Sequence, residues 1–280
     1  MPEGDTVHLT AERLHTALAG ERLLRTELRV PAFATSDLSG QTVREVVARG
    51  KHLLLRTDAG LTLHTHLRME GRWRVVRPQA GIGGRRDEIR VLLVTRPWTA
   101  IGSRLGIVEL LPTNQEKSVV GHLGPDPLGP DWDPSEALRR LLLGEDRPIG
   151  EAVLDQTVMA GPGNVYRCEA LFLRGLDPWT PVGAVREPER LVDLVRRLME
   201  ANRSTGAQVT TGDIRRGRTH WVYGRAAEPC RRCGTPIRRR AAEPGPDGER
   251  VTYWCPTCQP KRLGIQSGPG GTRAPDLGRS

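Results

Sequence analysis

Along the first twenty residues the apolar side chains fall on one helical stripe. Val7, Ala11, Leu14 and Leu18 stand at i, i+4, i+7 and i+11, the spacing of an amphipathic helix. Asp5 is placed to cap its start, and Gly20 to end it. From about Thr42 to Leu111 the pattern shortens to strand-length runs. "KHLLLRTDAGLTLHTHL" reads as a hairpin turning at Asp58-Ala59-Gly60, and "EIRVLLVT" and "GIVELL" are further apolar runs. The Gly-rich "PQAGIGGRRDE" reads as a surface loop. This half of the chain is predicted to be a β-sandwich or barrel with one helix packed on it.

The stretch "GPDPLGPDWDP", residues 124–134, has no periodicity and is dense in proline and glycine, as a linker is. Beyond it the period becomes helical. Asp133-Pro134-Ser135-Glu136 combines a cap, a proline at the first helical position and an acid at the third, a capping-box signature. Helices are predicted over 134–143, 148–159, 165–174 and 188–202, the last with Leu191, Leu194, Val195 and Leu198 on one face. The predicted layout is an N-terminal domain over 1–120, a linker over 121–133, a helical domain over 134–224, a cysteine-bearing unit over 225–262 and a disordered tail over 263–280.

Charge adds a partner class. The 280 residues carry 42 Lys+Arg against 33 Asp+Glu, a net +9, with arginine far outnumbering lysine. Guanidinium forks suit phosphates and base edges, so nucleic acid is one reading; a genome that favours arginine codons is the other. No run of apolar residues is long enough for a transmembrane helix, and no basic-then-apolar leader marks a signal peptide.

Cys230-x2-Cys233 and Cys255-x2-Cys258 are separated by 21 residues. Two such knuckles place four thiolates around one Zn2+ in a closed structural site, with a redox dithiol as the alternative. The intervening "IRRRAAEPGPDGERVTYW" reads as a β-hairpin whose arginines could clamp a phosphate backbone. Cys168, inside a predicted helix, reads as a small buried apolar residue.

Two further stretches carry candidate chemistry. Gly161-Pro162-Gly163-Asn164 joins two helical patterns and opens directly into the second, exposing N–H groups at the positive end of a helix dipole. An ordinary helix–helix loop has the same appearance. The chain starts "MPEG"; once Met1 is removed, Pro2 carries a secondary amine less basic than a lysine. Attack of that amine on an aldehyde-level carbon gives an iminium, a charged electron sink, and Glu3 is close enough to move protons at the same centre.

"PEG" at 2–4, "DQTVMAGPGNVYRCEALF" at 155–172 and "VYGRAAEPCRRCG…GERVTYWCPTCQ" at 222–259 stand in the order found in the formamidopyrimidine-DNA glycosylase/endonuclease VIII family, which this chain resembles up to about Pro260. The resemblance implies an α+β fold: an N-terminal β-sandwich with a leading helix, a helix-two-turn-helix domain and a zinc β-hairpin. It also implies a bifunctional glycosylase and AP lyase acting on damaged DNA. Pro2 would be the Schiff-base nucleophile and Glu3 the general acid. Lys51 would contact phosphate and assist elimination. Asn164 would bind phosphate, and Arg250 would clamp DNA from the hairpin tip. Met69 resembles the residue that fills the gap left by a flipped base. His64 and His66 share a strand face and read as surface or pocket-wall residues rather than metal ligands.

The chain departs from the family pattern in three places. Thr6 stands where a second acid is common. The Arg-Phe loop of the formamidopyrimidine branch is not evident in "PWTAIGSRLGIVE", and ten residues between Thr211 and "VYGR" are too few for that branch's long capping loop. The two loop absences, together with PEG itself, point to the endonuclease VIII branch and oxidised pyrimidines. Oxidised purines, or non-catalytic binding to damaged DNA, are the alternatives. The expected setting is a monomer in the cytoplasm, on the nucleoid, with one Zn2+ and no membrane.

Overall fold

A computed structural model describes residues 2–81, 83, 85–241 and 251–261. The leading stripe forms α1 (Gly4–Leu18), with Val7, Ala11, Leu14 and Leu18 buried. The helix starts two residues earlier than a cap at Asp5 suggests: Glu3 occupies the cap position, but its side chain makes no capping bond, for a reason that lies in the site described below.

After α1 come β1 (Arg25–Leu28), β2 (Val43–Arg49), β3 (His52–Thr57), β4 (Leu61–His66), β5 (Arg72–Val76), β6 (Ile89–Val94), β7 (Thr99–Ser103) and β8 (Ile107–Pro112). They pair into two four-stranded antiparallel sheets, ordered β1-β6-β7-β5 and β2-β3-β4-β8. The β3–β4 turn falls at Asp58-Ala59-Gly60, where Gly60 takes the positive φ of 73° that the turn requires. Alternation places Leu53, Leu55 and Leu63 of one sheet and Val91, Leu93 and Ala100 of the other in one core with the α1 stripe. Full burial of each leucine there contributes about 1.5–3 kcal/mol.

After β8 a single turn, α2 (Lys117–Val120), leads into the segment between the lobes; the second lobe contains α3 (Pro134–Leu142), α4 (Ile149–Ala152), α5 (Asn164–Arg174) and α6 (Pro188–Asn202), and ends in the hairpin β9 (Arg238–Arg240) and β10 (Thr252–Trp254). Asp133 caps α3, accepting from the N–H groups of Ser135 at 2.9 Å and Glu136 at 3.1 Å. Glu136 does not close the box; its carboxylate turns instead to Arg139 and Arg140.

The expected helix over 148–159 stops after one turn. Asp155 accepts from the Thr157 N–H at 2.8 Å and from its hydroxyl at 2.6 Å, a local turn that competes with the helix. Gln156 then binds the loop to itself, donating to the carbonyls of Leu154 at 2.8 Å and Pro162 at 2.9 Å and accepting from Gly161 N–H at 2.9 Å.

The Pro- and Gly-rich segment between the lobes is largely buried from Leu123 to Leu128. Asp126 accepts from Gly50 N–H at 2.6 Å and Leu128 N–H at 2.9 Å. Arg49 donates to the Gly124 carbonyl at 3.0 Å and to Asp131 at 2.8 Å. The segment therefore fixes the second lobe against the β2–β3 turn.

Candidate active site and metal centre

At the seam between the lobes two chain segments far apart in sequence touch through backbone. Gly4 N–H donates to the Gly161 carbonyl at 3.0 Å. A methyl group on Gly4 would lie 2.7 Å from Met199 Cε and 2.9 Å from Gly161 Cα, so the approach requires glycine.

This approach inserts Glu3, fully buried, into the start of α5. Its Oε2 accepts from Gly163 N–H at 2.8 Å and its Oε1 from Val165 N–H at 2.7 Å, with Tyr166 N–H at 3.5 Å from Oε2. The Gly161–Asn164 turn thus offers N–H groups to an acceptor, and the acceptor seated there is the protein's own Glu3. The N–H groups and helix dipole favour the carboxylate. Burial outweighs them and, with Asp5 adding to it, raises the Glu3 pKa above its ordinary value despite nearby Lys51. The result is an acid that retains its proton to higher pH than a solvated glutamate. Asp5, also buried, is raised for the same reason.

Pro2, half-buried, lines a cleft of about 260 Å3 with Lys51, His52, His66, Met69 and Asn164. Lys51 Nζ donates to the Pro162 carbonyl at 2.8 Å, reaching across the seam. Met69 is 56% exposed and follows Arg68, whose φ of 52° is uncommon for a residue with a side chain. Arg68 N–H donates to His66 Nδ1 at 2.9 Å, which helps hold that turn and presents Met69 outward. A larger groove of about 650 Å3 lies between α1 and β5, away from Pro2 and Glu3. His64 is not at the surface: it is 2% exposed, bonded between His52 and Glu109.

Asn164 Nδ2 donates to the Val251 carbonyl at 2.9 Å, and Arg167 donates to Thr252 Oγ1 at 2.9 Å. The first turn of α5 therefore also carries the cysteine-bearing hairpin. Arg250 lies outside the described residues, as do Met1 and the tail over 263–280.

The four cysteine sulfurs of Cys230, Cys233, Cys255 and Cys258 lie within 4.8 Å of one another. Each knuckle directs a backbone N–H at a sulfur, Arg232 to Cys230 and Cys258 to Cys255, both at 3.4 Å. Four converging sulfurs with N–H support form a closed metal site, which replaces the core this short unit lacks. Its apolar side packs Ile237 and Cys255 against Cys168 and Phe172 of α5, and Arg232 covers the Phe172 ring at 4.6 Å.

One buried acid escapes the sequence reading. Glu169, fully buried in α5, accepts from the N–H groups of Trp221, Val222 and Tyr223, each at 2.8 Å, and from the Thr210 hydroxyl. It ties the lead-in to the finger onto the same helix that holds Glu3. Its one sequence signal is an acid inside an otherwise apolar helical stretch.

Fold and cleft together define a class: a two-lobed, finger-bearing protein with a cleft at the seam lined by Pro2 and Lys51, beside the buried Glu3. The formamidopyrimidine-DNA glycosylase N-terminal domain matches residues 1–101, the H2TH domain of the same enzyme 123–211, and the zinc finger found in FPG and IleRS 227–261. A Streptomyces coelicolor protein described as "Probable endonuclease 8 2" is 53% identical, covering 92% of this chain and 94% of the relative. The DNA-(apurinic or apyrimidinic site) lyase Nei2 of Mycolicibacterium smegmatis is 49% identical, covering 92% and 99%. The Lactococcus lactis formamidopyrimidine-DNA glycosylase, solved non-covalently bound to AP-site DNA, superposes with a TM-score of 0.77 at 26% identity, over 92% of this chain and all of that one. The chain belongs to the formamidopyrimidine-DNA glycosylase/endonuclease 8 family.

Proposed function

We propose that this bifunctional DNA glycosylase and AP lyase of base-excision repair works through the N-terminal amine of Pro2, exposed once Met1 is removed, and prefers oxidised pyrimidines. The observation that carries the assignment is the placement of Glu3. It is buried, raised in pKa and held by the α5 N–H groups directly beside a proline that lines a cleft with Lys51.

In this reading a damaged nucleotide is flipped into the cleft and Met69 enters the vacated stack. Lys51 and Asn164, with Arg250 from the hairpin, hold the flanking phosphates. Pro2 nitrogen attacks C1′ while Glu3 gives its proton to the ring oxygen, and the base departs. The resulting iminium acidifies C2′, so the same amine serves the lyase step, and β- and then δ-elimination cut the strand. Four thiolates of this spacing select Zn2+, which holds the finger and takes no part in bond breaking. We further propose that the protein acts as a monomer in the cytoplasm, on nucleoid DNA.

The pyrimidine preference rests on the short stretch before Trp221. Thr210 N–H donates to the Thr219 carbonyl at 2.9 Å, and the Thr211 hydroxyl donates to the Arg218 carbonyl at 2.6 Å. The loop is closed on itself, which leaves little chain to cap a purine.

Borohydride reduction on abasic-site DNA tests the nucleophile. A covalent adduct is expected for Met1-processed protein and not for protein retaining Met1; no adduct from processed protein overturns the reading. Faster excision of 8-oxoguanine than of thymine glycol overturns the pyrimidine assignment.

A further inference from the structure

The cleft contains a second set of titratable groups that the steps above leave unused. His52, from β3, lines it together with Pro2 and Lys51. His52 Nδ1 lies 2.8 Å from His64 Nε2, and the two rings stack at 5.1 Å. His64 Nδ1 in turn lies 2.9 Å from Glu109 Oε2, on the neighbouring strand β8. His64 is 2% exposed and the Glu109 side chain 47%, so the chain of three runs from the cleft wall across one face of the sheet to solvent.

The hydrogen-bond partners fix the tautomers. A carboxylate can only accept, so His64 carries its proton on Nδ1 and offers Nε2 as an acceptor. His52 must then donate from Nδ1, which leaves its Nε2 as a basic lone pair. Glu3 is the opposite case, an acid whose oxygens are committed to backbone N–H groups. After giving up its proton its oxygens remain bonded to the Gly163 and Val165 N–H groups, which limits where that carboxylate can reach.

We propose that His52 Nε2 takes the C2′ proton in the elimination step, with His64 and Glu109 relaying that proton to solvent. The proposal rests on the Pro2 iminium reading. The C2′–H bond breaks and its electron pair forms the C1′=C2′ bond of an enamine, while the C1′=N pair returns to the Pro2 nitrogen. The enamine then expels the 3′-phosphate as the C3′–O bond breaks, which leaves a conjugated iminium. As His52 Nε2 gains the proton, its Nδ1 proton passes to His64 Nε2, and the His64 Nδ1 proton passes to Glu109 and then to water. No oxidant or metal enters.

The surroundings keep His52 neutral and ready to accept. Burial first, then the neighbouring rings of His66, His64 and His122 and the guanidinium of Arg68, push its pKa down to about 3. His66 comes from β4, His122 from the segment between the lobes and Lys51 from the adjoining turn. A neutral ring keeps Nε2 unprotonated, and the contacts to His64 and on to Glu109 give an accepted proton a way out. Acid and base are pushed apart in pKa on the walls of one cleft.

A duplex with a preformed abasic site separates the two steps under single turnover. Borohydride trapping reports iminium formation, and strand cleavage without borohydride reports elimination. For His52→Ala, trapping is expected within about twofold of wild type and cleavage down about 10²-fold, partly restored by free imidazole. His64→Gln keeps a donor and an acceptor but cannot relay, and cleavage is expected to fall about tenfold. Unchanged cleavage in His52→Ala, or a parallel loss of trapping and cleavage without imidazole rescue, overturns the proposal. If His52→Ala shows no melting transition and no binding to a tetrahydrofuran-site duplex, His64→Gln carries the test, and unchanged cleavage there overturns it. A wild-type protein that traps nothing overturns the Pro2 assignment first, and the relay with it.

Discussion

Two glutamates are bound to one helix in nearly the same way and do different work. Glu3 and Glu169 are both fully buried, and each accepts backbone N–H groups, Glu3 from the start of α5 and Glu169, within α5, from residues 221–223. Coordination by N–H groups therefore does not distinguish a reagent from a strut. The difference lies in the neighbours. Glu3 adjoins Pro2 at the cleft with Lys51 acting on it. Glu169 faces Thr210 and the chain leading into the finger.

Replacing each acid tests the distinction, and the reagent gives the largest effect. Glu3→Gln keeps the side-chain size and removes the transferable proton. Base excision is expected to fall about 10³-fold, the middle of the range for a lost general acid, while binding to an abasic analogue stays near wild type. Measured excision within a factor of about ten of wild type would remove Glu3 from the chemistry.

Glu169→Ala should do the reverse. It leaves the Trp221, Val222 and Tyr223 N–H groups without their acceptor, at about 1–3 kcal/mol for a buried unsatisfied donor. Partial rescue by water brings the expected loss to about 3 kcal/mol in denaturant melts. Excision per folded molecule should persist at low temperature. Full stability with lost excision would place Glu169 on the chemical side of the comparison.

Gly163→Ala probes the boundary between the two roles. Gly163 has φ −129°, so alanine is tolerated by the backbone. Its Cβ would stand 2.6 Å from Glu3 Cδ, so the carboxylate must shift. A drop of about tenfold in excision, with little change in melting, is expected from so small a displacement of a catalytic group.

How far these roles could be read in advance depends on sequence distance. Cys230, Cys233, Cys255 and Cys258 were legible because a knuckle is a local object, with two ligands three residues apart and a turn between them. The α1 stripe and the Asp58–Gly60 turn were legible for the same reason. The helix expected over 148–159 failed because Asp155 and Gln156 hold side-chain bonds to nearby backbone that periodicity does not register. Glu3 could be suspected as a reagent from its place beside Pro2, but its partners lie 160 and 162 residues away. The acceptor that the Gly161–Asn164 turn holds was equally out of reach, since nothing local marks Glu3 as its occupant. Cross-strand neighbours such as His52 and His64 meet through register, and a single sequence does not state its register.

The smallest effect separates burial from the other forces on Glu3 and has a definite sign. Burial raises the folded-state pKa of Glu3 above its ordinary 4.5. Between 4.5 and that raised value the folded protein binds more protons at this site than the unfolded chain. Stability therefore falls as pH rises through that window, by up to about 1.4 kcal/mol per pH unit for one proton. Below the window both states are protonated and above it both are ionised, so the contribution is flat on either side. Asp5 and Asp126 are raised by burial as well and bend the total curve in the same direction. The informative quantity is therefore the wild-type slope minus that of Glu3→Gln, from denaturant melts across acidic to neutral pH. A negative difference in the window is expected. A positive one would mean that the N–H groups of Gly163 and Val165 overcome desolvation and make Glu3 a resident carboxylate like an ordinary helix cap, and the acid would then have to be sought elsewhere in the cleft.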